Sequence, residues 1–424
     1  MYTPCNKALI KNQRNNLSNL DRPIRILIGG SPCQKWSLCQ RKDRETTNEG
    51  EGWELFKNCV IAKEKFKPDF FLYENNNSIS NDIKAEISKS LGQPIQMINA
   101  ALVSAQQRKR IWVHNIPNVE QPEDRGLVVN DILEKDIVED ELIYYIRHTS
   151  KRDMKDNTKP IRVGDIQGTS QEHRVYSPYG KSVNLMANGG GQGAKTGLYM
   201  TPVKLEQIDS YYYKGGIGKC NEPQLIGMIK NNGTYLNGKQ PSQQYRIYSC
   251  DSKGICLNKG KSTSGIYIYK TDNENVAPLY YVKNNQIIID GQKHHINLPD
   301  GAYVVRKLTP VEAERLQTLP DNYTYVNGVC DSQRYKAIGN GWCAEVVIHI
   351  LSYLDIPKDY PIEVLSMYDG IGTGRYVLDK LGYTNITYKA YEIDEYAMKI
   401  ANKNYPDIIQ CGDCFKVRDD DWEY

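Results

Sequence analysis

Cys33 is the side chain in this sequence best placed to act as a nucleophile. It stands in Ile28-Gly-Gly-Ser-Pro-Cys-Gln-Lys-Trp-Ser37, where an apolar run from Ile24 breaks into two glycines and a proline. A turn at the end of a strand is where open α/β sheets keep their chemistry, because ligands bind outside the carboxyl ends of the strands. Two further groups occupy comparable places. Glu74-Asn75 closes the apolar run Phe70 to Tyr73, and Gln107-Arg108-Lys109-Arg110 heads another. A thiol, a carboxylate and an arginine pair are the parts needed to attack an electron-poor heterocycle, stabilise it in a protonated form and hold its carbonyl and phosphate. Taken alone, Cys33 has the alternative reading of a buried structural thiol, the usual fate of cysteine.

A second constellation lies near the end of the chain. Glu363 to Gly374 reads as a strand running into the turn Tyr368-Asp-Gly-Ile-Gly-Thr-Gly374 and then a helix, Tyr376 to Leu381. The next strand, Thr387 to Glu392, ends in an acid about twenty residues on, the position that suits ribose hydroxyls. The glycines at 370, 372 and 374 let backbone approach a ligand, although they also fit plain turn chemistry. Their spacing is not GxGxxG, which favours an adenosine ligand over a dinucleotide. Asp413, at a further strand end, could accept a hydrogen bond from an adenine amino group.

The elements that must position these groups fall into three stretches: 1–120, 121–300 and 301–424. Residues 24 to 116 alternate strand and helix: Ile24 to Ile28, a helix around Trp53 to Phe66, Asp69 to Tyr73, a helix near Asp82 to Leu91, then strands Ile95 to Leu102 and Arg110 to Val113. This is an α/β pattern. From Gln121 to Asp300 the composition turns to Gly, Asn, Lys, Ser and Tyr, with short strand-like runs between turn signals, so a small, mostly β domain is expected. The net charge of +3 conceals an asymmetry: residues 151–300 hold 20 Lys and Arg against 12 Asp and Glu. A basic middle suggests a polyanionic partner, although a solvated lysine surface reads the same way. Within it Arg174-Val-Tyr-Ser177 is echoed by Arg246-Ile-Tyr-Ser249, each with glutamine upstream and a turn and short apolar run downstream, as two similar β-hairpin units would require.

After Asp300 the α/β character returns. Thr309 as N-cap, Pro310 at the first helical position and Glu312 at capping-box spacing open one helix. Another follows Gly339-Asn-Gly341 and runs from Ala344 to Leu354. The 11 cysteines form no pair of zinc-type CxxC motifs, so reduced thiols and no metal are expected. No charged-then-apolar leader and no apolar run of roughly twenty residues is present, which indicates neither secretion nor a membrane span.

Together these residues resemble the DNA (cytosine-5)-methyltransferase family. The Pro-Cys-Gln nucleophile matches at Pro32-Cys33-Gln34, the Glu-Asn element at Glu74-Asn75 and the Gln-x-Arg-x-Arg element at Gln106 to Arg110. Arg306 to Gln317 is similar to the element after the family's target-recognition domain, and Gly339-Asn-Gly-Trp342 to its final cofactor element. Tyr368 to Gly374, Glu392 and Asp413 are similar to the adenosylmethionine-binding motifs. The family's motif order begins with those cofactor motifs, whereas here they end the chain, so the resemblance implies a circular permutation. A link such as Asp355 to Pro361 would join the last family helix to the cofactor-binding strand. The implied fold is a Rossmann-like α/β methyltransferase domain, circularly permuted, with a smaller, mostly β target-recognition domain inserted.

The resemblance also implies the chemistry. Catalysis falls to Cys33, Glu74, Arg108 and Arg110. S-adenosyl-L-methionine would meet Pro32, Asn340, Trp342, Tyr368, Asp369, Gly370, Ile371, Gly372, Thr373, Glu392, Ile393, Asp413 and Cys414. Ile393 stands where the family often has an aromatic, and Trp342 could supply the missing ring; Asn76 likewise replaces a common valine. Double-stranded DNA would meet Ser37, Gln107, Arg174 and Arg246, with the target base flipped out of the stack and Lys35 to Gly52 closing over it as a lid. A cytoplasmic, bacterial or phage-encoded monomer is expected, with a cognate restriction endonuclease as an open partner. An RNA cytosine-5 methyltransferase, a catalytically silent DNA-binding homologue and an unrelated adenosine-dependent enzyme acting on a small molecule are the rival readings.

Overall fold

In a computed structural model of the chain, the described residues are 21–37, 44–134, 146–150, 156–166, 173–185, 197–203, 225–228, 246–248, 266–267, 279–289 and 292–419. The chain divides into two compact units: residues 1–132 with 183–191 and 309–424, and residues 133–182 with 192–308.

The first unit opens with β1 (Ile24–Gly29), α1 (Glu51–Phe66), β2 (Phe70–Asn76), α2 (Asn81–Leu91), β3 (Ile95–Asn99) and β4 (Lys109–His114). Period-two alternation sends Ile24, Ile26 and Ile28 into one apolar layer and Leu27 into the other, as a strand covered on both faces requires. In α1, Trp53, Phe56, Cys59, Ala62 and Phe66 recur at helical spacing and bury one stripe against the sheet. Ser80 Oγ accepts from Ile83 N at 3.3 Å to start α2, and Gly92, at φ 71°, stops it. The expected strand Ile95 to Leu102 ends early. Asn99 Oδ1 accepts from Ala101 N and turns residues Ala100–Leu102 into a short 3-10 helix.

The second unit carries β5 (His148–Thr149), β6 (Arg162–Asp165), β7 (Arg174–Tyr176), β8 (Leu198–Val203), β9 (Leu225–Met228), β10 (Arg246–Tyr248), β11 (Ile266–Tyr267), β12 (Leu279–Val282), β13 (Gln286–Ile289), β14 (Gln292–His295) and β15 (Gly301–Lys307). They form sheets ordered β12-β15-β8-β7-β6-β5, β11-β10-β9 and β13-β14. Val163, Val175, Leu198, Met200, Tyr303 and Val305 belong to its own apolar core.

The sequence echo corresponds to more than a pair of hairpins. β7 lies antiparallel to β6 and parallel to β8, and β10 lies antiparallel to β9 and parallel to β11. The registers match residue for residue. Arg174 faces Asp165 and Val175 faces Gly164; Arg246 faces Met228 and Ile247 faces Gly227. In both copies one residue is then skipped, so that Tyr176 meets Arg162 and Tyr248 meets Leu225, the mark of a β-bulge. On the parallel side Tyr176 meets Tyr199 and Tyr248 meets Tyr267.

The chain then returns to the first unit through α3 (Pro310–Leu316), α4 (Asp331–Asn340), α5 (Ala344–Leu351), β16 (Ile362–Met367), α6 (Thr373–Lys380), β17 (Ile386–Tyr391), α7 (Glu395–Asn404) and β18 (Ile409–Gly412). The capping box expected at α3 forms on both sides, with Thr309 Oγ1 accepting from Glu312 N and Glu312 Oε2 from Thr309 N. α4 is an addition to the sequence reading: Gly339 and Asn340 are its last turn.

The main sheet runs β18-β17-β16-β1-β2-β4-β3 and is parallel except for β4, which opposes both of its neighbours. From β1 the chain steps outward one way and from β16 the other, so the order reverses between these two adjacent strands. That reversal marks the edge where an open α/β sheet binds ligands. Residues 121–132 and 183–185, read in sequence as part of the middle domain, pack with this first unit. Arg125 Nη2 meets Glu345 Oε2 at 2.6 Å, and Leu185 N donates to Gln106 Oε1 at 3.2 Å.

Candidate active site

Five strand ends converge at that edge. β1 delivers Cys33, β2 delivers Glu74, β16 leads into Tyr368 to Thr373, β17 into Glu392 and β18 into Asp413. Because β4 is antiparallel, its beginning lies beside the end of β2, with Asn76 opposite Arg110. A cavity of about 490 Å³ joins these ends, lined by Pro32, Cys33, Glu74, Arg108, Arg110, Asn340, Trp342, Tyr368 to Ile371, Thr373, Glu392, Ile393, Asp413 and Cys414. That volume lies within the range of small-ligand sites.

The glycines after β1 have a steric reason. A Cβ on Gly30 would lie 2.9 Å from the Glu74 carbonyl oxygen and 3.0 Å from Glu74 Oε2, so only glycine lets the turn pass the carboxylate. Beyond it, Ser31 Oγ and Tyr73 Oη are 2.7 Å apart, and Asn75 Nδ2 donates to Ser31 O at 3.1 Å and to Tyr73 Oη at 2.8 Å. Asn75 therefore ties the thiol-bearing turn to β2. The Cys33 carbonyl accepts from Trp36 N and Ser37 N, and Trp36 is fully buried.

Burial pushes the Cys33 thiol up from its ordinary value; the Arg110 charge opposes this most strongly, Glu74 adds to it and Arg108 opposes it more weakly. Glu74 is held from two sides. Arg110 Nε stands 2.8 Å from its Oε1, and Trp342 Nε1 donates to its Oε2 at 3.2 Å.

The structure separates the two arginines that the sequence treats as a pair. Arg108 is buried and donates to Asn184 Oδ1, Leu185 O, Gly339 O and Gly341 O at 2.7 to 3.1 Å. Burial, helped by the neighbouring Arg110 charge, lowers its pKa to about 9. Although it borders the cavity, its guanidinium is taken up by three backbone carbonyls and the Asn184 side chain, whereas that of Arg110 is directed to Glu74.

At the other end of the cavity, Glu392 Oε2 accepts from Gly370 N at 2.8 Å, and its Oε1 accepts from Ile393 N and Asp394 N at 2.8 Å each. Asp413 Oδ1 accepts from Phe415 N at 2.9 Å. Asp369 Oδ1 accepts from Tyr388 Oη at 2.6 Å, and burial raises the Asp369 carboxyl. Among the described residues Asp369 Oδ2 and Thr373 Oγ1 are buried without a hydrogen-bond partner. Gly370, at φ 65°, has nothing within 4 Å of where a Cβ would lie, so it faces open space. Gly372 differs. It does not line the cavity, and its Cβ would stand 3.3 Å from Ala401 Cβ, so its missing side chain serves packing against α7.

Two other expectations change. Trp342, read as a ring for adenine, is bonded to Glu74 at the thiol end. Phe415, which the sequence reading missed although it stands two residues past Asp413, lines the cavity 41% exposed, as does Ile393 at 71%. In the segment Lys35 to Gly52, expected as a lid, Arg44 Nη2 donates to Ser78 O at 2.7 Å, and Glu45 accepts from Glu51 N and Gly52 N at 3.0 Å each. Residues 38–43 lie outside the described residues.

The expected nucleic-acid contacts separate as well. Gln107 Oε1 accepts from Asn99 Nδ2 at 2.9 Å. Ser37 follows the Cys33 turn and does not line the cavity. In the second unit Arg174 hydrogen-bonds Tyr176 on its own strand. The Arg246 side chain and the loop 188–193 lie outside the described residues.

A family model described as C-5 cytosine-specific DNA methylase matches residues 4–354. Orphan methyltransferase M.SPRI of Bacillus phage SPR is 24% identical over 388 residues, covering 78% of this chain and 82% of that protein. Type II methyltransferase M.Sau3AI of Staphylococcus aureus is 22% identical over 366 residues, covering 81% of each. The solved methyltransferase EhMeth of Entamoeba histolytica aligns over 81% of both chains at 12% identity, with a TM-score of 0.39. The family match spans both the Cys33 turn and the Glu74 strand end, and the chain therefore belongs to the C-5 cytosine-specific DNA methylases: it is an enzyme, a DNA (cytosine-5)-methyltransferase.

Proposed function

We propose that the chain methylates carbon 5 of a cytosine flipped out of duplex DNA at a specific sequence, through a covalent bond between Cys33 and carbon 6. The observation that carries this is the single cavity into which Cys33, Glu74 and Arg110 open together with the Gly370, Glu392 and Asp413 strand ends. The Cys33 thiolate adds to carbon 6, Glu74 holds the proton on ring nitrogen 3, and Arg110 meets the base carbonyl; carbon 5 becomes an enamine-like nucleophile. Bound S-adenosylmethionine supplies the electrophilic methyl group. Loss of the carbon-5 proton and elimination of the Cys33 thiolate restore the aromatic ring. Flipping costs a few kcal/mol of stacking and pairing, and Glu74, already held by two donors, meets the base without further ordering.

The donor set at the far end fits S-adenosylmethionine. Glu392 and Asp413 offer acceptor oxygens, Ile393 and Phe415 offer apolar surface, and the buried unpartnered atoms of Asp369 and Thr373 would meet polar groups of the ligand. Pro32, Asn340, Tyr368, Ile371 and Cys414 complete the wall.

The same reading takes the motif order as a circular permutation. The family match stops at residue 354, yet β16, β17 and β18 lie beyond it and pair into the same sheet, β16 directly beside β1. The basic second unit, inserted in the chain between α2 to β4 and α3 to α5, would read the DNA sequence. The bacterial and phage origin of M.Sau3AI and M.SPRI supports an enzyme acting on DNA in the cytoplasm. Bisulfite sequencing of a plasmid expressed with this chain tests the proposal. Cytosines protected within one recurring motif are expected, and a plasmid left unprotected by a folded, cofactor-binding protein would overturn it.

A further inference from the structure

We infer that Trp342 is a positioning residue that sets the orientation of Glu74, in place of a wall for the cofactor's adenine; the inference rests on the methyl-transfer reading above. Its surroundings belong to the thiol end. The Trp342 ring stands edge-on to Trp112, with centroids 6.2 Å apart and planes at 63°. Trp112 lies on β4 directly opposite Glu74 in register. The indole N–H donates to Glu74 Oε2 while Arg110 takes Oε1. Two donors on two oxygens, brought from different elements, fix the plane of a carboxylate that one donor alone would leave able to rotate. Each carboxylate oxygen has two acceptor lone pairs, so Oε2 can receive the ring N–H of a protonated cytosine while the indole remains bonded.

The indole is itself anchored. Gly341 N donates to Ala337 O at 3.0 Å, and the Gly341 carbonyl accepts from Arg108 Nη2 at 2.7 Å and from Gln317 Nε2 at 3.3 Å. Arg108 thus acts on the chemistry at one remove: it fixes the backbone that carries Trp342, and Trp342 orients Glu74. At the adenosine end, Phe415 and Ile393 already supply apolar surface, so Trp342 is not needed there.

Trp342→Phe keeps the ring and its packing on Trp112 but removes the donor. The turnover number is expected to fall about ten- to hundredfold, as for loss of a hydrogen bond to a charged group. KM for S-adenosylmethionine, and cofactor affinity measured by calorimetry without DNA, should stay within about twofold. Trp342→His restores a ring N–H and should recover part of the rate. Weakened cofactor binding with an intact turnover number would hand Trp342 back to the adenine wall and overturn the inference, as would an unchanged rate. Trp342→Leu is the second variant should the Phe variant fail to fold, with the same split expected. Absence of methylation by the unaltered chain is a distinct result: it would overturn the methyl-transfer reading itself.

Discussion

At the thiol end of the cavity the polar side chains hold one another: Glu74 is gripped by Arg110 and Trp342, and Cys33 titrates in the field of Arg110, Glu74 and Arg108. At the glycine end the two strand-end acids hold backbone instead, Glu392 accepting three N–H groups and Asp413 one. Under the proposed mechanism the contrast follows from what each end must do. Reacting atoms need side chains whose charge and direction are set in advance, whereas a bound nucleoside needs a shaped surface with acceptors at fixed places. Substitution at the thiol end should therefore reach the rate, and substitution at the glycine end should reach affinity.

The largest break in that pattern is Cys33→Ser. Turnover should fall by several orders of magnitude, to background, while cofactor affinity stays as it was, because a hydroxyl is a far poorer nucleophile than a thiolate at neutral pH. With the intact thiol, duplexes carrying 5-fluorocytosine at the target should yield a stable adduct at Cys33 by mass spectrometry, since fluorine cannot leave as a proton does. Measurable turnover by the serine variant would remove covalent catalysis from the mechanism.

Arg110→Met comes next, at about 10²- to 10³-fold in rate, the cost of deleting a charged donor from a water-excluded site. Its sign with pH is also fixed. The thiol is raised by burial, so the thiolate fraction, and with it the rate, climbs as pH rises through that raised value. Arg110 is the strongest influence pulling the thiol down, and its loss should move the rising limb of the rate profile to higher pH. A limb that stays in place would mean that another group generates the thiolate.

Cys33 and Glu74 were legible in the sequence because each closes an apolar run, and a polar residue at the end of a buried strand has few other places to be. The parallel α/β order and the capped start of α3 were legible for the same local reasons. The difference between Arg108 and Arg110 was not. Their i, i+2 spacing suggests one face of one strand, yet β4 begins at Lys109, and Asn99 Oδ1 captures the Arg108 N–H at 3.0 Å in the turn before it. α4 escaped because its buried face is partly polar: Arg334 pairs with Glu314 at 3.2 Å and bonds Thr324, contacts across segments that no local periodicity reports. Phe415 and the anchored Trp36 likewise owe their places to tertiary packing.

Gly370 and Gly372 test the other end at closer range, since both sit at positive φ and an alanine at either bears the same backbone strain, roughly 1–2 kcal/mol. Gly370→Ala directs its methyl group into the cavity and should raise KM for S-adenosylmethionine by about tenfold with kcat little changed. Gly372→Ala directs its own toward Ala401 and should lower the melting temperature while leaving KM alone. Equal effects on KM would erase the distinction between a ligand-facing and a packing glycine.

The smallest effects, and the sharpest use of the contrast, belong to the repeated strands of the second unit. Arg174 faces Asp165 across the ladder, bonds Tyr176, and shares its surroundings with Arg162, itself paired to Asp165 at 2.8 Å. It is a side chain held by a neighbouring side chain, as a bracing residue would be. At the matching register positions of the other copy, Met228 replaces Asp165 and Leu225 replaces Arg162, so the acid opposite the first arginine has no counterpart there. Arg174→Ala should consequently lower the melting temperature by a few degrees without changing the methylated motif. Arg246→Ala should do the reverse. If it meets a guanine edge, the preference at one position relaxes by about 1 to 3 kcal/mol; if it meets a phosphate, all sequences weaken alike and the salt dependence of binding falls by about one counterion. Methylation rates on a randomised duplex pool, taken at two salt concentrations beside thermal melts, separate these outcomes, and matched behaviour of the two variants would show that the acid opposite the first arginine makes no difference.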